Sequence, residues 1–391
     1  MKENSSLSLV REIMLQFADL TGLSSTGKAP RRYLWTDAFA VCNFLGLYRQ
    51  TGGEKYKNLA LRLVNQVHNL LGRHRGDDPR TGWISGLDEE EGKRHPTMGG
   101  LRIGKGMNER KPAELFDEGL EWDRDGQYYH YLTKWMHALN RVGRVTGDST
   151  YNTWAMELAK TVHARFTYVP RSGGEKRMYW KMSIDLSYPV VPSMGHHDPL
   201  DGLITYSQLQ ATAAKDSEKS TRLDLRVEIT DLAKICEGKS WVTDDPLGIG
   251  GLLGDAHKVA QLIINGYFEK TDLLEILLDS SLPGLESYVR KNPLNLPADY
   301  RLAFRELGLS IGLRAVERLW RFIEEKPGFF SRKLPLHSRI EGLMRYAPFS
   351  EKIEMFWLES ANQEAVSWRE HRDINMVMLA TSLAPDGYLT P

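Results

Sequence analysis

A unit that occurs twice constrains this chain more than any other feature. Tyr33-Leu34-Trp35-Thr36-Asp37-Ala38-Phe39 opens an apolar stretch that ends at Thr51-Gly52, and Tyr56 follows at the start of a second periodic stretch. Later, Tyr128-Tyr129-His130-Tyr131 opens another apolar stretch that ends at Thr146-Gly147, with Tyr151 at the same offset. Glycine at each stop supplies the left-handed backbone that ends a helix. Each copy therefore reads as a helical hairpin. The first helix of each copy opens with aromatic and polar side chains, where a purely structural helix needs only apolar ones. These openings are expected to face a pocket.

Composition narrows the class. The chain has 391 residues with 51 basic and 51 acidic side chains. Zero net charge argues against nucleic acid as a partner, because such binders carry a basic excess or stripe. A hydrophobic fraction of 41% allows a large core. Residues 1–20 contain Lys2, Glu3, Arg11, Glu12 and Asp19, so no uninterrupted apolar signal core is present. No stretch approaches the ~18 apolar residues of a membrane span. Cys42 and Cys236 sit on apolar helical faces and read as free thiols. The expectation is a cytoplasmic protein with no membrane partner.

Helical periodicity dominates. Ala60, Leu63, Val64, Val67, Leu70 and Leu71 make one stripe, and Trp154, Leu158, Val162 and Phe166 make another. The spacing predicts helices at 6–20, 36–50, 55–72, 126–145, 150–166, 200–214, 220–237, 249–266, 271–290, 299–324, 336–346, 351–367 and 371–384. Residues 73–122 and 167–198 read as long loops with short β pieces at Gly82-Trp83-Ile84 and Tyr179-Trp180-Lys181-Met182. Loops this long in a compact domain usually shape a site. The polar run from Lys215 to Arg222 reads as a surface turn. No linker divides the chain, so residues 1–391 are expected to form a single domain.

Helix, loop and helix repeated around one core match a closed ring of hairpins. On Trp35-Thr36-Asp37 through Tyr56, and Tyr128-Tyr129-His130 through Tyr151, the chain resembles the six-hairpin (α/α)6 toroids of glycan-processing enzymes. The resemblance extends more weakly through hairpins starting at His196 and Gly248, and is one of architecture. It implies an all-α (α/α)6 toroid whose long loops carry short β pieces. It also implies a small-molecule carbohydrate as partner, with no cofactor.

In such toroids the leads into the inner helices line the active face. Here those leads are 30–37, 119–131, 193–201, 243–250 and 366–373, and they concentrate aromatic and ionisable residues. Sugars stack their C–H faces on aromatic rings and bond hydroxyls to carboxylates, imidazoles and guanidiniums. Asp37, Asp123 and Asp125 are the candidate catalytic carboxylates. Asp37 could equally complement a helix dipole, and Asp123 or Asp125 could be a helix cap. Candidate substrate-binding residues are Trp35, Trp122, Tyr128, His130, Lys134, Trp180, His196, His197, His371 and Arg372. Gln127, His130 and Lys134 share one face of the expected helix. His196 and Asp198, spaced His-x-Asp, could hold zinc, yet no third ligand stands at helical spacing, so no metal is expected. Asp198-Pro199 also fits a helix start. Arg372 could pair with Asp37 or meet an acidic sugar. Asp244-Asp245-Pro246 through Gly251 lacks the lysine and serine of a phosphate loop. Its glycines fit close helix packing instead.

Three functions remain open. A glycoside hydrolase would use Asp37 with Asp123 or Asp125 as its carboxyl pair. A sugar isomerase or epimerase would use His196 or His197 with His257 or His371. A non-catalytic sugar-binding toroid would use the same aromatic mouth. Fold alone does not choose among them.

Overall fold

The computed structural model describes residues 2–24, 27–215, 223–268, 271–325 and 334–390. Apart from Lys215, the turn expected at 215–222 lies outside the described residues. The chain divides into two compact units, Ala18–Gly238 and the combination of Met1–Phe17 with Lys239–Pro391.

The Ala18–Gly238 unit holds three hairpins. Helix Leu34–Thr51 packs on its partner Glu54–Leu71 and on Tyr129–Thr146, which packs on Thr150–Phe166 and on Asp198–Lys215. Asp198–Lys215 in turn packs on Arg226–Cys236. The first helices of the hairpins are buried on almost every side. Leu34 to Leu45 is buried without a break, and so is Asp198 to Leu209. The partner helix Glu54–Leu71 buries only Tyr56, Ala60, Leu63, Val64, Val67, His68 and Leu71, one stripe at threes and fours.

The Thr-Gly stops have a common physical basis. Gly52 and Gly147 adopt φ of 67° and 74°. The Thr51 and Thr146 hydroxyls donate back to Leu47 O (2.7 Å) and Val142 O (2.8 Å). Each then accepts from the amide two residues on, Gly53 at 3.1 Å and Asp148 at 3.3 Å. One hydroxyl thus satisfies a terminal carbonyl and starts the turn.

In the other unit, helix Pro246–Ile264 crosses Ala303–Glu325 at backbone contact. A Cβ added at Gly250 would lie 2.0 Å from Gly308 O, and one at Gly312 would lie 2.6 Å from Gly250 Cα. This is the close glycine packing expected after Asp244-Asp245. Asp245 caps the first of these helices, accepting from Gly248 N at 3.0 Å. Ala303–Glu325 also packs on Leu334–Met344, Pro348–Leu358 and Arg372–Leu383.

Two expected helices differ. The expected helix at 351–367 stops at Leu358, because Asn362 Nδ2 donates to Phe356 O (2.8 Å) and Gln363 Nε2 to Trp357 O (2.7 Å). Side-chain amides there replace the backbone donors that would have continued the helix. The helix expected from residue 126 starts at Tyr129, because Gln127–Tyr128 pairs antiparallel with Lys181–Met182. That strand pairs with Pro189–Val191, and Thr167–Tyr168 pairs with Arg177–Met178. Cys42 is buried and Cys236 is half-buried. No helix among the described residues is long and apolar enough to cross a membrane.

Two tests follow from this packing. Gly250→Ala forces backbone apart at the crossing and should cost about 1–3 kcal/mol, read as a lower urea midpoint with unchanged m-value. Burial also depresses His68 and His257 to about 3. Both stay neutral in the folded state, while the unfolded chain takes up those protons below about 6.5. Stability should therefore fall as pH drops from about 6.5 towards 3. His68→Gln and His257→Gln should each flatten that slope in urea titrations across the window.

Candidate functional site

The candidate site lies within the Ala18–Gly238 unit, and a buried carboxylate organises its loops. Asp125 has no exposed side-chain surface. Its Oδ2 accepts from Arg102 Nη1 (2.5 Å) and Arg75 Nη1 (3.2 Å), and its Oδ1 accepts from Gly104 N (3.0 Å) and Gly126 N (3.1 Å). Arg75 also donates to Lys105 O (2.6 Å) and Gly106 O (2.8 Å). Arg102 donates to Arg73 O and Leu70 O, both at 2.7 Å. Three stretches of long loop are tied to one carboxylate. Gly104, at φ 93°, lies so close to Arg32 O that a Cβ would stand 2.2 Å away.

Asp37 is similarly engaged. It is buried, its Oδ2 accepts from Tyr33 N (2.9 Å), and its Oδ1 faces Arg32 Nη1 at 3.4 Å. Gln127 is buried too. Its Oε1 accepts from Leu101 N (2.9 Å), and its Nε2 donates to Gly99 O (3.0 Å) and Ile184 O (2.6 Å). Gln127 therefore does not share a helix face with His130 and Lys134; it sits on the strand before them.

Asp123 differs from both. It is exposed at the end of the short helix Glu118–Asp123, and its carboxylate makes no hydrogen bond among the described residues. The buried ammonium of Lys181 sets this corner by donating to Glu121 Oε1, Glu121 O and Arg124 O, each at 2.8 Å. Lys105 stands close enough for the Asp123 and Asp125 charges to act on it. Burial pulls the Lys105 amine below its usual range, and those two carboxylates partly oppose the shift. Its Nζ lies 5.5 Å from the Tyr33 ring centre. Burial raises the Tyr33 phenol to about 12.

Aromatic rings extend from this corner. The Tyr33 and Tyr131 hydroxyls are 2.6 Å apart. Tyr131 lies 5.3 Å from Tyr128, Tyr128 lies 5.6 Å from Trp180, and Trp180 lies 5.7 Å from Trp122. Trp35 is buried and reaches the group through Tyr131, at 6.4 Å.

His130 adjoins the same rings, 4.8 Å from Tyr131 and 5.4 Å from Tyr128. Its Nδ1 stands 3.5 Å from Asp198 Oδ1. Nδ1 and Asp198 Oδ2 are both buried without a hydrogen-bond partner among the described residues. A buried polar atom left unpaired costs free energy. Lys134, one turn on, pairs with Asp201 at 3.0 Å. His196 is exposed with its ring 4.6 Å from that of His197, whose carbonyl accepts from Asp201 N at 2.9 Å. His371 and Arg372 belong to the other unit, where His371 packs 5.4 Å from Phe304 and Arg372 stands 4.0 Å from Asp373. Among the described residues no group of three His, Cys, Asp or Glu is arranged to hold a metal ion.

Sequence reasoning missed Lys105, Arg75 and Arg102, and had Tyr33 and Asp201 only as members of the leads 30–37 and 193–201. The Gly104-Lys105-Gly106 triplet was the one available signal, since paired glycines mark close backbone approach.

No protein-family model matches the chain. No curated protein matches it either. Solved structures do. An inactive double Asp-to-Ala variant of an alpha-1,6-mannanase from Salegentibacter sp. HEL1_6, in complex with alpha-1,6-mannotetrose, aligns with a TM-score of 0.54 at 13% identity, covering 97% of this chain and 99% of that one. A GH76 alpha-mannanase of Bacteroides thetaiotaomicron aligns with a TM-score of 0.51 at 10% identity, covering 99% and 97%. The fold is thus the all-α (α/α)6 toroid shared with these structures.

Asp125→Asn removes the charge that balances Arg75 and Arg102. The cost should be roughly 3–5 kcal/mol, seen as a large drop in melting temperature. Asp123→Asn should leave the melting temperature within a degree or two, because its carboxylate holds nothing in place.

Proposed function

We propose that this chain is a glycoside hydrolase acting on an oligosaccharide. The supporting observation is an exposed carboxylate, Asp123, beside a file of aromatic rings, in a fold shared along nearly its whole length with two alpha-mannanases. In this reading the rings take the C–H faces of the sugar, and Asp123 moves a proton at the scissile bond. The carboxylate of Asp198, beside His130, supplies the second acid–base group that glycoside hydrolysis needs. Asp37 and Asp125, expected to be catalytic, are given a different task. Their oxygens are occupied by arginines and amides, so they position the loops. Trp122, Tyr128, Trp180 and His130 line the substrate. Lys134, His196 and His197 stand at its edge. A chain with only two cysteines and zero net charge supports a cytoplasmic location and no nucleic-acid partner.

A second reading is favoured by one specific observation. A half-exposed imidazole backed by a buried carboxylate, as in His130 and Asp198, suits proton transfer next to a carbonyl. An isomerase or epimerase would use that pair and leave Asp123 as a binding group.

A panel of α- and β-glycosides, including alpha-1,6-mannan and uronides, separates these readings. Wild type should release reducing sugar, and Asp123→Asn should lose about 10²-fold or more of kcat at unchanged melting temperature. Full activity in Asp123→Asn would overturn the assignment of Asp123. Absence of hydrolysis, with His130-dependent exchange of solvent deuterium into a reducing sugar, would replace the hydrolase by the epimerase. Saccharide binding without either reaction would leave a binding protein.

A further inference from the structure

We propose that the ring file is an extended subsite with a direction: the substrate is a chain whose outer units leave the site across Trp180 and Trp122. The proposal rests on the carbohydrate reading above and adds the length and path of the ligand.

Burial along the file is graded. Tyr128 is 4% exposed, Trp180 is half-buried, and Trp122 is 48% exposed. The steps between them are 5.6 and 5.7 Å, and the two tryptophans meet edge to face at 82°. That geometry holds Trp180 by the edge of its neighbour and leaves Trp122 ring surface to solvent. Tryptophan is seldom left this open, because few side chains lose more on exposure of their apolar area.

Trp122 is also firmly mounted. It lies between Glu121, whose carboxylate and carbonyl are gripped by Lys181, and Asp123, whose carbonyl accepts from Met107 N at 3.3 Å. An exposed aromatic on a fixed backbone is a preorganised platform, since little entropy is lost when a ligand lies on it. The inner end of the file adjoins His130 and, through the Tyr33 ring, the Lys105 ammonium. The enclosed end thus carries the histidine and the lysine, and the open end is a ring face beside Asp123. The enclosed end takes one terminal unit, and the open ring carries the units that follow it past the Asp123 carboxylate. A monosaccharide would engage the inner end alone and give Trp122 no role.

The experiment is calorimetric titration of the full chain with manno-, cello- and uronic saccharides of one to four units, using wild type, Trp122→Ala and Trp122→Phe. For the series that binds, wild-type affinity should rise with length. Trp122→Ala should leave the one-unit Kd unchanged and weaken the four-unit Kd by about two- to tenfold, with Trp122→Phe restoring most of it. Length-independent affinity in wild type, or an equal loss at every length in Trp122→Ala, overturns the extended subsite and leaves the carbohydrate reading standing. No binding by any saccharide overturns the carbohydrate reading, and the subsite with it.

Discussion

The mouth of the Ala18–Gly238 unit depends on the ion cluster around Asp125. A carboxylate with no exposed surface would be prohibitive alone, and two guanidiniums with two amides make it tolerable. The same bonds determine where Lys105, Gly106 and Asp123 can be, because Arg75 spans Asp125 and the 105–106 backbone. Separate stretches of the irregular loop 73–122 acquire in this way the rigidity that helices get from their ladders. Site residues must be held to within a fraction of an ångström, and a buried charge with several fixed partners supplies that more sharply than apolar contact does.

Helices set the coarse frame, and the two units use different means. In one, the buried first helices of three hairpins pack side by side through ordinary side chains. In the other, glycines bring helices Pro246–Ile264 and Ala303–Glu325 to backbone contact. The half-buried Arg314 pairs there with the buried Glu354, and Ser310 and Ser382 complete the bonds of Glu354. Both devices restrict which side chains can change.

What the sequence made legible follows from what is local. The Thr-Gly stops announce themselves because hydroxyl, glycine and turn lie within a few residues. The stripe from Ala60 to Leu71 is likewise a property of one helix. The same holds for aromatic enrichment at the leads, and Trp122, Tyr128, Trp180 and His130 do gather. Asp37 and Asp125 read as candidates for chemistry because an acidic residue at a helix mouth looks alike whether free or bound. In the fold, their oxygens are taken by partners. Arg102 lies 23 residues from Asp125 and Arg75 lies 50 residues from it, distances at which sequence pattern carries no signal. Asp198 was in view, but its approach to His130 comes from two helices meeting, which only the fold provides.

The Lys181 ammonium carries a consequence of another kind. It has three protons, and three acceptors stand around it at one common distance. Donors and acceptors match one to one, so the corner that presents Trp122 and Asp123 tolerates neither an added donor nor a missing one. A planar guanidinium would bring five donors in a fixed fork to a socket built for a compact point charge. Charge alone does not define this position; valence and shape do, and lysine is the one common side chain that satisfies both.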